Sequence, residues 1–206
     1  MSHPFKHLTL IIKHRHQVIR NGYHLGIFWH CLRHDLSKFS PVEFNNASKY
    51  FVGTHSPVYE ERLSNGYFSK QCQHHTKRNK HHWEYWLEDN DVGKFYGIKM
   101  PFKYVVESVC DMIGASKSYN QKNWNPDMLW SYWIQKCKGK RIQHSSSEYL
   151  TEYLIWNFCE FTRNGGEERF ITWFKSNRKI IEKEYDNDTL KYVLNSRVED
   201  VSEGIV

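Results

Sequence analysis

No stretch of this chain of 206 residues approaches the run of about 18 apolar residues that spans a bilayer. Its first residues, MSHPFKHLTL, lack the apolar stretch of a secretory leader. No membrane partner is therefore expected, and the expected compartment is the cytoplasm. The five cysteines, Cys31, Cys72, Cys110, Cys137 and Cys159, form no CxxC pair and stand far apart, so neither a disulfide framework nor a cysteine zinc site is indicated. Like charges never gather in a block of five or six, which leaves no polybasic tail. No internal repeat is visible and no strand is read. The net charge of +6 allows an anionic partner, such as a nucleotide, another phosphate-containing small molecule or nucleic acid, without requiring one.

What the chain does have is aromatic bulk. Eight Trp, thirteen Tyr and twelve Phe supply large buried areas, so a core forms despite a hydrophobic share of only 39%. The apolar pattern is helical nearly throughout. His7, Leu10, Ile11, His14 and Val18 form one stripe of a helix from about His7 to Arg20. A second helix is read from Leu25 to Leu36, and Ser40-Pro41-Val42-Glu43 is a capping box that opens a third, through Tyr50. A turn covers 53–57, a long helix 67–88 and a loop 89–100. Pro101 and Asn125-Pro126 open further helices, residues 148–163 and 167–185 form the last two, and the polar tail beyond Ser196 is expected to fray. The expectation is an all-α, compact helical bundle. Residues 1–120 form the core that carries the site, and 121–206 are a helical extension packed on the same domain.

The chemistry concentrates in three places. The segment 74–86, HHTKRNKHHWEYW, holds four histidines. On a continuous helix, His75, Asn79, His82 and Trp86 would share one stripe, and His74, Arg78, His81 and Tyr85 another. Buried imidazole and amide groups need partners: a metal, a phosphate or a carboxylate. Trp83 and Trp86 read as packing residues. The second place is RHDLSKF, where His34 and Asp35 are a donor pair suited to Mn, Fe, Co, Ni or Zn. There His30, His34 and Lys38 would form an i, i+4, i+8 stripe, and Lys38 could neutralise a phosphate. The third is Glu107 and Asp111 in VVESVCDMIGASK, two carboxylates in an otherwise apolar helix. Acidic groups there are held either by salt bridges or by metal. His16, His24, His55 and His144 read as incidental, and Glu43 as a capping residue.

Taken in order, His14, His34-Asp35 and Asp111 resemble the H…HD…D arrangement of the HD-domain metal-dependent phosphohydrolases. More closely, the chain resembles an uncharacterised family of phage and bacterial proteins. The shared pattern is His14 with Val18, His34 to Phe39 with Glu43-Phe44, His75 with Asn79 and His81 to Trp86, and Glu107 with Asp111. The HHWEYW segment is not part of the simple HD pattern.

The resemblance implies an HD-like bundle, in the host cytoplasm if phage-encoded, with one or two divalent ions (Mn, Fe, Co, Ni or Zn, with Mg admissible). The metal ligands expected from it are His14, His34, Asp35 and Asp111, joined by His75 and His82. The expected activity is hydrolysis of a nucleotide or other phosphate ester, with Asp111, Glu107, Lys38, His75 and His82 in catalytic roles. Lys38, Asn79 and His81 are then expected to contact substrate. The alternatives are an HD-type di-iron oxygenase, a non-enzymatic protein binding nucleic acid or a host protein, and a purely structural cluster. The oligomeric state is not legible.

Overall fold

The computed structural model describes residues 3–190 and is an all-α bundle with one small hairpin. In chain order the helices are α1 (Pro4–His24), α2 (Phe28–Leu32), α3 (Pro41–Lys49), α4 (Pro57–Ser64), α5 (Lys70–Thr76), α6 (Phe102–Asn120), α7 (Pro126–Tyr132), α8 (Ser145–Arg163) and α9 (Glu167–Asp186). Between α5 and α6, strands β1 (Leu87–Asp89) and β2 (Phe95–Gly97) pair antiparallel. None of the described helices is long and apolar enough to cross a membrane.

The helix starts follow local chemistry. Proline lies in the first turn of α1, α3, α4 and α7, where its missing N–H costs nothing. Ser40 accepts from the Glu43 N–H to cap α3, and Asn125 accepts from the Met128 N–H to cap α7. His144, not one of the serines after it, caps α8. The Asn164-Gly165-Gly166 stop separates α8 from α9, with both glycines at positive φ.

Helix α6 runs through the centre. Its Val105, Val106, Val109 and Cys110 are fully enclosed, and burying such a valine side chain contributes about 1.5 kcal/mol or more. It packs on α1 along one side and on α8 along another. Gly114 permits the first contact: a Cβ there would stand 2.9 Å from Val18 Cγ2 and 3.5 Å from His14 Nδ1. The chain after residue 120 joins the same apolar cluster through Leu150, Leu154, Phe158, Phe170, Phe174 and Tyr185. Polar bonds reinforce the union, with Arg178 donating to the Leu25 and Gly26 carbonyls and the Tyr185 hydroxyl to that of Met100. The expected fraying beyond Ser196 lies outside the described residues.

Two expected helices are broken, and each break has a cause. The second ends at Leu32 because Arg15 of α1 takes the carbonyls of Leu32 and His34, which a longer helix would have used. Asp35 then adopts a left-handed conformation (φ 55°, ψ 25°), and a short 3₁₀ turn covers Leu36–Phe39. The long helix 67–88 is replaced by α5, an irregular turn, a 3₁₀ turn at Trp83–Trp86 and β1. The last carbonyls of α5 are taken by side chains, His74 by Arg78 and His75 by Asn79 at 2.8 Å. Neither α4 nor the hairpin is foreshadowed by the sequence reading.

Candidate metal centre

The breaks bring the polar residues together. Helix α1 supplies His14, the turn after α2 supplies His34 and Asp35, α5 supplies His75, the turn that follows supplies His81 and His82, and α6 supplies Asp111. Asp35 stands in the middle and is fully buried. Its Oδ2 faces His34 Nε2 at 3.2 Å and His14 Nε2 at 3.6 Å. Its Oδ1 faces His75 Nε2 at 3.2 Å and His81 Nε2 at 3.5 Å. Asp111 Oδ1 closes the first side, 3.0 Å from His14 Nε2 and 3.3 Å from His34 Nε2. His82 joins the second side, its ring 4.7 Å from that of His75 and 4.2 Å from that of His81.

Two donor sets therefore share one carboxylate: His14, His34, Asp35 and Asp111, and Asp35, His75, His81 and His82. Within each, one ligand atom per residue lies within 4.8 Å of all the others. Nε2 of His14, His34, His81 and His82 and both oxygens of Asp35 are buried without a properly formed hydrogen bond. Lys38 Nζ does approach Asp35 Oδ2 at 2.6 Å, as an ion pair whose angles are not those of a hydrogen bond. Buried polar atoms are almost always paired, so this convergence of lone pairs fits a cation. Imidazole with carboxylate is the donor chemistry of divalent transition metals. The cluster could hold a metal ion.

The opposite ring edges are braced. Glu107 Oε1 accepts from His34 Nδ1 at 3.1 Å and lies 3.4 Å from His81 Nδ1. Glu43 Oε2 stands 2.8 Å from His75 Nδ1, and its Oε1 bonds His74. A carboxylate on Nδ1 fixes the tautomer that leaves Nε2 able to donate to a metal. Ser37 and Asn79 hold the same region, the Asn79 amide donating to Ser37 Oγ at 2.8 Å.

The electrostatics divide the cluster: against the burial that opposes its charge, Asp35 raises the pKa of His75. Burial opposes ionisation of Asp35 and Asp111, but the groups around them overcome it: His34 and Lys38 hold Asp35 well below the usual carboxylate range, and contacts with His14 and His34 do so for Asp111. Burial also opposes charge on His34, yet Asp35, with Asp111 and Glu107, raises its pKa. Burial and the charge of His34 lower His81, while burial and its neighbours His81 and His75 push His82 well down. Their neutral form, the one a metal ligand needs, is thus favoured, whereas His34 and His75 are pushed toward the charged form.

A cavity of about 400 Å³ opens beside the cluster, lined by His14, Lys38, His75, His82 and Asp111. A second, of about 670 Å³, reaches Asp111 and His82 from the side of α7 and is lined by Trp83, Lys136 and Arg141. Asp111, Tyr119 and Tyr132 border both. The segment after α7 thus walls the site, with a π-helical turn at Trp133–Cys137.

All six residues expected as ligands, His14, His34, Asp35, Asp111, His75 and His82, meet in this cluster, and Lys38 lies beside it. Several expected roles change. His81, expected on substrate, points its Nε2 at Asp35 among the ligands. Glu107, expected in a catalytic role, lines neither cavity and lies against His34 and His81, with which it forms a third possible donor set. Asn79, expected to orient His75 and His82 and to contact substrate, bonds Ser37 and His75 and lines neither cavity. His30 leaves the stripe it would share with His34, because the helix ends between them, and rests on Tyr104 instead. Glu43, read as a cap, lends only its backbone N–H to the cap while its side chain braces two histidines. Trp83 and Trp86 pack against the core.

The chain belongs to DUF5662, a family of unknown function, whose match covers residues 3–155 and so every residue of the cluster. No curated protein and no solved structure matches the chain.

Proposed function

We propose that the protein is a metal-dependent phosphohydrolase that cleaves a phosphate ester, a nucleotide or another small organic phosphate, at a centre whose two donor sets, which share Asp35, would hold divalent metal. One observation carries this reading: each oxygen of the fully buried Asp35 faces a different group of histidine Nε2 atoms, and Lys38 is ion-paired with only one of the two. The order of His14, His34-Asp35 and Asp111, which resembles the H…HD…D order of HD-domain phosphohydrolases, adds support by analogy.

In this reading His14, His34, Asp35 and Asp111 would hold one ion and Asp35, His75, His81 and His82 the other. A divalent ion supplies Lewis acidity, lowering the pKa of water toward neutrality and polarising a phosphoryl oxygen. Hydrolysis breaks the bond between phosphorus and the ester oxygen and forms one to a water oxygen, and a water proton ends on the released alcohol. Asp111, which borders both cavities, orients the incoming water. Lys38, held above its usual pKa because Asp35 and Asp111 outweigh the burial that opposes its charge, stabilises negative charge developing on the phosphate. Glu43 and Glu107 act through the histidines they brace.

The test is elemental analysis of tag-free protein beside its Asp35→Ala variant, followed by hydrolysis of p-nitrophenyl phosphate. Wild type should hold close to two equivalents of a divalent metal and turn over the ester, and the variant should do neither. An empty wild type that stays empty after incubation with Mn, Zn and Mg would reject the proposal. Iron with a visible chromophore and no ester hydrolysis would redirect it to oxygen chemistry.

A further inference from the structure

The smaller cavity holds polar groups that the metal centre does not use. His7 Nδ1, Gln71 Nε2 and Ser118 Oγ lie on its wall, and none has a hydrogen-bond partner. Their residues are only 6%, 5% and 7% exposed, so solvent does not satisfy them. Unpaired groups at such depth are uncommon, and three on one wall point to a ligand that would complete them.

Their placement is built. His7 precedes His14 by two turns of α1, and Ser118 follows Asp111 by two turns of α6, so each lies about 10 Å along its helix from a candidate ligand. The His7 ring is wedged against Phe44 and Phe51, at 5.7 and 5.2 Å. The Gln71 backbone N–H donates to buried Glu61, which also accepts from the Ser69 hydroxyl and the Lys70 N–H, so the start of α5 is fixed. The cavity lining also includes the apolar side chains of Ile11, Ala47 and Pro57, beside Tyr59, Tyr119 and Tyr132.

We infer that this chamber takes the hydroxylated carbon chain of a sugar or polyol phosphate, with its hydroxyls on His7, Gln71 and Ser118 and its phosphate at the Lys38 end. The inference rests on the phosphohydrolase reading and deepens it. Separate polar contacts on three helices suit a chain bearing several hydroxyls, and the apolar side chains suit its C–H faces. Tyr59, Tyr119 and Tyr132 also line this cavity and Trp83 the other, so a nucleotide is the competing ligand that the titration must separate.

The experiment is calorimetric titration of manganese-loaded full-length protein with a hexitol phosphate, inorganic phosphate and a purine nucleoside monophosphate. The hexitol phosphate should bind at least about tenfold more tightly than inorganic phosphate. Gln71→Leu and Ser118→Ala should each cut that ratio roughly fivefold to tenfold, with Tm unchanged or raised because an unpaired buried group has been removed. Equal affinity for hexitol phosphate and phosphate, tighter binding of the nucleotide, or variants that weaken every ligand alike would overturn the inference. A hexitol phosphate that binds with the expected ratio but is never cleaved would reject only the hydrolase reading. Absence of all phosphate binding would reject both.

Discussion

Replacing Glu107 by Gln tests whether this carboxylate braces the centre or joins it, since it is within ligand distance of His34 and His81. One oxygen, Oε1, lies 3.1 Å from His34 Nδ1 and 3.4 Å from His81 Nδ1, one histidine from each donor set. Glutamine has nearly the same shape and keeps an oxygen for these contacts but loses the charge. A charge-assisted hydrogen bond contributes about 1.5–3 kcal/mol and a neutral one about 0.5–1.5, a loss near 1–1.5 per contact. The two contacts share one atom and cannot be fully additive, so the total is about 1.4–2.7 kcal/mol. That corresponds to roughly tenfold to hundredfold weaker metal binding, the range expected for an outer carboxylate on a ligating histidine. Competition with a chromophoric chelator gives the affinity, and Tm measured in EDTA checks that the metal-free fold is intact. An affinity within twofold of wild type would refute the bracing argument. Loss of a whole equivalent at saturating metal would show that Glu107 is itself a ligand.

Further outcomes follow from the same geometry. Stripping metal with EDTA should lower Tm by roughly 5–10 °C per ion held at a hundred times its Kd, since such binding contributes about 2.7 kcal/mol; a purely structural cluster would show no change. Gly114→Ala places a methyl 2.9 Å from Val18 Cγ2, so it should cost about 1–3 kcal/mol in urea unfolding and weaken metal binding by displacing His14; a neutral effect on both would refute the close approach. His7 is pushed down to about 4, by burial and then by Lys38, so the folded protein resists a proton that the unfolded chain accepts below pH 6.5. Its contribution is full above pH 6.5 and is lost as pH falls from there to about 4. The ceiling is about 3 kcal/mol, and cavity water reduces it to about 1–2. His7→Phe should flatten the fall of Tm with acid over that window, and an unchanged slope would count against it.

Where local chemistry decides the structure, the sequence is legible. The Ser40-Pro41 and Asn125-Pro126 starts, the apolar run of α6 and the Gly165-Gly166 stop all act within a few residues. The candidate ligands are legible for another reason: a histidine beside an aspartate, and carboxylates in a valine-rich helix, are conspicuous wherever the backbone runs. What is hidden is the path that joins them. The break before Asp35 depends on Arg15, about twenty residues away, and nothing in KRNKHHWEYW, which has neither Gly nor Pro, marks the end of α5. That end is held by Asn79, and the convergence on Asp35 overrides the helical preference of the segment. Glu43 is misread because a capping position and a buried brace use different parts of one residue.

The sharing of Asp35 between the two donor sets would make any metal affinities interdependent. A first ion, on either side, would draw electron density from the common carboxylate and repel a second cation across it, so successive ions would bind with unequal strength. Under scarce metal the protein would populate a half-filled form, its second position taking whichever divalent ion the surroundings offer. A titration should then show two separated steps, and activity should rise with the later one.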